Sequence, residues 1–246
     1  MYPLENACAP NSSKALTSSS PVEDAPSPNS CKNKSFKGLL LDLDGTLIDS
    51  EHTHLAAYRR MFTAKGWQIA ASEMEIFKGR PGPEVFQSEP GPWRGLDPEE
   101  LGLEARSYVD IRRDPPRIFA GAREIMQLKL PKCLVTSAWI QWAQLAARLL
   151  DAPANLKVIS QEDIRAGKPD PEPYLVGAKT LGLPASSCIV IEDTTSGVIS
   201  ARAAGAGRIY GVATSHTRTA LAEAGADLVT DSLQALLPYL KGETAC

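Results

Sequence analysis

No stretch of the 246-residue chain gathers the roughly 20 apolar residues that a membrane span needs, and the N-terminus lacks the basic-then-apolar order of a secretory signal. A cytoplasmic protein is expected. Positive charge clusters nowhere densely enough to track a phosphate backbone, and 26 Lys and Arg against 29 Asp and Glu leave a formal charge of −3. Nucleic acid is therefore not an expected partner. The five cysteines, Cys8, Cys31, Cys133, Cys188 and Cys246, are odd in number and scattered, with no C-x-x-C pair to hold zinc or form a redox couple. They read as idle thiols. Internal repeats are absent. Asn11 and Asn33 stand in glycosylation patterns, which have no role without export.

What is present falls into three stretches. Residues 1–35 hold 8 Ser, 5 Pro and 4 Asn and almost no apolar periodicity, the composition of a disordered tail. The tail has no Arg and carries Glu5, Glu23 and Asp24, unlike an organelle transit peptide. At Phe36 the pattern changes to a continuous apolar run ending in Asp42-Leu43-Asp44-Gly45-Thr46, as expected of a strand buried on both faces. Similar runs recur at Cys133–Val135, Leu156–Ile159, Cys188–Ile191, Arg208–Val212 and Asp227–Val229. Between them lie helical patterns, notably Trp139–Leu150, with Ile140, Ala143, Ala147 and Leu150 on one face, Pro171–Leu181 and Gly197–Ala204. Alternation of this kind predicts an α/β fold, a Rossmann-like parallel sheet with helices on both faces and ligands at the carboxyl ends of the strands.

From Ser50 to Phe119 the strand signal disappears. An amphipathic helix with Leu55, Tyr58 and Phe62 on one face gives way to a Pro-, Gly- and Glu-rich stretch. The expected organisation is a core of 36–49 and 120–246, with residues 50–119 inserted after the first strand as a small, mainly helical cap over the crevice.

The polar residues that interrupt this frame carry the chemistry. Asp42 and Asp44, two apart where a strand ends, cannot both be buried unpaired, because desolvation and like-charge repulsion each cost several kcal/mol. A divalent cation resolves the conflict, and Mg²⁺ is commonly held by one or two carboxylates plus a substrate phosphate. Glu192-Asp193 closes a second apolar strand and adds a second acidic pair at the same end of the sheet; capping of the next helix by Asp193 is the alternative. Thr136 and Ser137 end a strand ahead of a helix, where a hydroxyl and free backbone N–H groups can face a phosphate, although Ser and Thr there also serve as helix caps. Lys168 lies before Pro169 in a proline-stiffened segment; it is either a fixed point charge for a phosphate or a solvated surface lysine. Lys78-Gly79-Arg80-Pro81 in the insert offers cations to a substrate or forms a solvated basic turn. His52 and His54, two apart on a helix, read as surface residues, and His216 is expected to border the crevice.

With Asp42-Leu43-Asp44-Gly45-Thr46 first, Leu134-Val135-Thr136-Ser137 second, Gly167-Lys168-Pro169-Asp170-Pro171 third and Ile191-Glu192-Asp193-Thr194 fourth, the chain from Phe36 to Leu237 resembles the haloacid dehalogenase superfamily. The resemblance implies that Asp42 is the nucleophile that forms an aspartyl phosphate and that Asp44 protonates the leaving alkoxide and then activates water. It further implies that Thr136, Ser137 and Lys168 bind the phosphate. Asp42, Asp193, the backbone carbonyl of Asp44 and a supporting Glu192 or Thr194 would make up the Mg²⁺ site. Within the superfamily, the insert, the Lys168–Tyr174 run and Ala203-Ala204-Gly205 look most like small polyol- and sugar-phosphate phosphatases, such as those for glycerol phosphate and 2-deoxyglucose 6-phosphate. Asp44 separates the chain from the dehalogenase and phosphonatase branches, which lack the second aspartate. The implied enzyme is a phosphoric monoester hydrolase, a monomer or small homo-oligomer, acting on a small phosphorylated substrate with Lys78 and Arg80 as candidate substrate contacts. The competing readings are a sugar-phosphate mutase like the β-phosphoglucomutases and a non-catalytic metabolite-binding relative.

Overall fold

A computed structural model of the chain describes residues 36–244, with side chains to Gly242. The serine-rich tail, Cys8, Cys31, Cys246 and both glycosylation patterns lie outside the described residues. In chain order the elements are β1 (Gly38–Leu41), β2 (Ile48–Asp49), α1 (Glu51–Ala64), α2 (Gly82–Ser88), α3 (Pro98–Ser107), β3 (Arg117–Ile118), α4 (Ala122–Met126), β4 (Lys132–Val135), α5 (Ile140–Leu149), β5 (Lys157–Ile159), α6 (Glu172–Thr180), β6 (Cys188–Glu192), α7 (Thr195–Ala203), β7 (Arg208–Val212), α8 (Arg218–Glu223), β8 (Leu228–Thr230) and α9 (Leu233–Thr244).

Six strands pair in parallel in the order β5-β4-β1-β6-β7-β8. The expected strands are all found, and the expected helices differ from the observed ones by two residues or fewer at each end. β1, β4 and β6 are adjacent and buried along their whole length, with Leu40 beside Cys133 on one side and Val190 on the other. This is why they read as unbroken apolar runs. Each face of the sheet has its own core, one around Leu39, Leu41, Trp142 and Ile191 and the other around Leu40, Val135, Tyr174 and Val190. Residues alternate between the two because successive strand side chains point to opposite faces. The first three carboxyl ends in the middle of the sheet therefore belong to β4, β1 and β6, and they carry Thr136, Asp42 and Asp193.

The helical segment between β2 and β3 packs on an aromatic cluster of its own, in which Phe62, Phe77, Phe86 and Trp93 meet with ring centroids 5.4–6.3 Å apart. Its two chain connections run side by side as the antiparallel pair β2–β3, a short ribbon that the sequence pattern did not signal. The α5 face also differs from expectation. Trp142, Ala143 and Ala146 are the buried residues of that helix, while Ile140 and Ala147 are only half-buried. Among the described residues no helix is long and apolar enough to cross a membrane.

Candidate active site

Asp42 follows β1 directly, and its backbone N–H still donates to Ile191 O (3.1 Å), so the carboxylate is fixed at the mouth of the sheet. Glu192 ends β6, Asp193 follows it, and oxygens of the three carboxylates lie within 4.8 Å of one another. Lys168 reaches this group from the loop before α6. Its Nζ donates to Asp42 Oδ1 (2.6 Å), Glu192 Oε1 (2.6 Å) and Val135 O (3.0 Å), which uses all three N–H bonds. With 6% of its side chain exposed, Lys168 is not a solvated surface lysine. Burial works against its ammonium, but the two carboxylates outweigh it and raise the pKa above the ordinary lysine value.

Glu192 is fully occupied. Oε1 accepts from Lys168 and from the Tyr174 hydroxyl (2.9 Å), and Oε2 from the backbone N–H groups of Asp193 and Thr194 and the Thr194 hydroxyl, each at 2.9 Å. Burial would raise its pKa; Lys168 and these donors lower it below the usual carboxylate range instead. Asp42 and Asp193 are different. Among the described residues, Asp42 Oδ2 and Asp193 Oδ2 are buried and find no hydrogen-bond partner, while Asp193 Oδ1 accepts from Thr46 Oγ1 (2.7 Å). Burial, with the neighbouring carboxylates, raises Asp42 well above the usual range although Lys168 opposes it. Burial and Glu192 likewise push Asp193 up to about 6, against the Ser215 and Thr46 hydroxyls. Three buried carboxylates share one ammonium, and the two oxygens left without a partner are the place where positive charge is lacking. A hard divalent cation fits that deficit and that all-oxygen donor set.

Two glycines allow the cluster to close. Gly45, at φ +86°, would bring a Cβ within 2.0 Å of Asp193 Oδ2, and a Cβ on Gly197 would lie 1.7 Å from Glu192 Oε1. Only hydrogen fits at either place.

Asp44 lies beside this cluster in another setting. Its Oδ1 accepts from Ser50 Oγ (2.5 Å) and Trp142 Nε1 (2.9 Å), and His54 Nε2 is 3.9 Å away. Burial raises its pKa, but His54, Ser50 and Trp142 together bring it below the ordinary value. His54 is therefore not the surface residue expected. It is half-buried, with its ring 4.7 Å from Trp142 and 5.7 Å from Trp139. Its position one helical turn after Ser50, on the helix that leaves the first motif, was the available signal. Trp142 and Tyr174 were also missed, since an aromatic residue on a core-facing helix gives no sign that its polar tip meets a carboxylate.

Thr136 is buried and Ser137 exposed at the end of β4, and Thr136 Oγ1 accepts from the Ala138 N–H (3.0 Å). The α5 N-terminus begins three residues later, and its Ile140 N–H already donates to Glu162 (3.1 Å). Lys78 pairs with Glu75 (2.7 Å), and Arg80 with Glu84 (2.9 Å) and Glu89 (2.6 Å), all within the helical segment, so the structure does not join either to the carboxylate cluster. His52 meets Pro115 O (2.8 Å), and His216 is exposed. Cys133 and Cys188 are free, buried thiols, which burial pushes up to about 12 and about 11.

A parallel sheet with an acidic, lysine-bridged crevice at its carboxyl edge defines a class of hydrolases, and sequence comparison agrees. The haloacid dehalogenase-like hydrolase family model matches residues 36–205. The chain belongs to that family and is an enzyme. It is 34% identical over 211 residues to validoxylamine A 7'-phosphate phosphatase of Streptomyces hygroscopicus subsp. limoneus, covering 83% of this chain and 98% of that protein. To hexitol phosphatase A of Escherichia coli it is 30% identical over 176 residues, 69% of this chain and 80% of the other. Among solved structures, a Thermotoga maritima protein provisionally named a β-phosphoglucomutase superimposes with a TM-score of 0.67 at 28% identity, covering 83% of this chain and 98% of that one.

Proposed function

We propose that the protein is a Mg²⁺-dependent phosphatase that hydrolyses a small phosphorylated polyol or sugar through an aspartyl phosphate on Asp42. The observation that carries this reading is the pair of buried, unpartnered oxygens on Asp42 and Asp193 beside a lysine that is saturated by its neighbours. Relatives named as phosphatases of phosphorylated carbohydrates and polyols support the substrate class.

In this reading Lys168 holds Asp42 through Oδ1, which fixes the carboxylate for in-line attack and offsets the charge that would repel an anionic substrate. Asp44 gives a proton to the departing alkoxide and then takes one from water, and Thr136 and Ser137 meet the phosphate at the end of β4. Asp42, Asp193 and the Asp44 carbonyl would hold the cation, with Glu192 fastening Lys168 and the Asp193–Thr194 turn to the sheet. When bound, the cation neutralises the carboxylates together with the phosphate oxygens. The helical segment 50–119 acts as the cap that selects the leaving group.

Phosphorus NMR of the products from hexose and polyol phosphates, with Mg²⁺ and with a hexose bisphosphate added to one arm, tests the assignment. Inorganic phosphate as the product supports it. An isomeric phosphate ester formed in place of free phosphate would make the protein a mutase, and an unchanged substrate throughout would return it to the metabolite-binding reading.

A further inference from the structure

Asp44 is held by a residue that none of the family's motifs contains. Trp142 lies in the first turn of α5, 98 positions further along the chain, is 1% exposed, and directs its indole N–H at Asp44 Oδ1 (2.9 Å). Its ring packs against those of His54 (4.7 Å) and Trp139 (5.9 Å), which also meet each other (5.7 Å). We infer that Trp142 is the positioning residue for Asp44, holding the carboxylate by Oδ1 so that Oδ2 is the oxygen that exchanges a proton with the substrate.

Three groups converge on Oδ1, and they are not equivalent. The Ser50 hydroxyl both donates and accepts and can rotate; the His54 ring exchanges tautomers, and at 3.9 Å it is beyond a direct hydrogen bond. The indole N–H only donates. It binds Oδ1 as an acceptor whether the carboxyl is ionised or protonated, which favours the proton on Oδ2. No hydrogen bond to Oδ2 is present among the described residues, which leaves that oxygen to the crevice. An acid and base that must act twice in one turnover, first on the leaving oxygen and then on water, gains from presenting the same atom both times. An indole packed against two other rings supplies this at little cost in side-chain freedom.

This inference rests on the phosphatase reading, and a leaving-group comparison separates the two. An alkyl phosphate needs an acid to expel its alkoxide, whereas p-nitrophenyl phosphate expels a stable phenolate unaided. Trp142→Phe keeps a ring and removes the N–H. In the Mg²⁺-loaded enzyme, kcat/KM, which reports the steps up to release of the leaving group, should fall about tenfold or more on the polyol or sugar phosphate that the wild type turns over best. On p-nitrophenyl phosphate kcat/KM should fall less than about threefold. Equal losses on both esters would make Trp142 merely structural and overturn the inference. No release by the wild type from either ester would overturn the phosphatase reading with it. As a second measurement on protein that retains Trp142, the indole N–H resonances of Trp67, Trp93, Trp139 and Trp142 can be compared between wild type and Asp44→Ala. One resonance should move upfield on losing its carboxylate acceptor; if none moves, the inference is wrong even should Trp142→Phe fail to fold.

Discussion

Replacing Lys168 with Met removes the ammonium that lies among three buried carboxylates while keeping much of its volume. Asp42 Oδ1 and Glu192 Oε1 each lose a partner at 2.6 Å, and neither can turn to water, because Glu192 is fully buried and Asp42 nearly so. Deleting one member of a buried ion pair costs about 3–5 kcal/mol. For a folded unit of this size that corresponds to a fall in Tm of about 6 to 20 °C. The pH dependence has a definite sign. In the wild type the Lys168 pKa lies above its unfolded value, so its contribution is complete throughout the neutral range and is lost only at strongly alkaline pH. In the variant, burial acts on Asp42 and Glu192 without the ammonium that opposes it, so both folded pKa values lie above the unfolded ones. Such carboxyls bind protons in the folded state near pH 5 and must ionise at a cost as the pH climbs. The deficit should therefore be smaller at pH 5 than at pH 8. Urea denaturation of both proteins in chelator at the two pH values reads it directly. A variant as stable as wild type at pH 8, or one whose deficit does not grow between pH 5 and 8, would refute the electrostatic account of the cluster.

Gly197→Ala should lower Tm by about 2 to 12 °C and depress activity, since its methyl would overlap Glu192 Oε1 and an overpacked buried site costs about 1–3 kcal/mol. Calorimetry and a phosphate-release assay on the same preparation check it, and a fully active variant of unchanged stability would contradict the packing described. Cys133 and Cys188, buried and with pKa values pushed up to about 12 and about 11, should remain unmodified by a thiol reagent at pH 8 until denaturant is added. Peptide mass spectrometry reads each site, and rapid labelling of either would show that its core opens.

The parallel core was legible because β1, β4 and β6 are covered on both faces, so their sequences are unbroken apolar runs that nothing else in the chain imitates. The acidic pairs Asp42 with Asp44 and Glu192 with Asp193 were legible for a related reason, since two carboxylates at the end of such a run are hard to bury without a cation, whereas Lys168, in a proline-rich loop, was singled out by its place in the third motif. The partners of those residues were not. Whether Lys168 is a stalk in water or a saturated ammonium depends on Val135 and Glu192, which lie on two other elements. His54 and Trp142 converge on Asp44 from α1 and from α5, and helical spacing reports each face separately without saying where two faces meet. Arg80 shows the converse. Its basic turn looked free in the sequence, but Glu84 and Glu89, four and nine residues further on, take up its guanidinium.

The central claim is tested most directly by phosphate release from a panel of glycerol, hexitol, deoxyhexose and hexose phosphates, with and without Mg²⁺, in wild type and Asp42→Asn. The account predicts metal-dependent release concentrated on one or a few of these esters and abolished in Asp42→Asn, whose circular dichroism should match wild type. Undiminished release by the Asp42→Asn protein would contradict it.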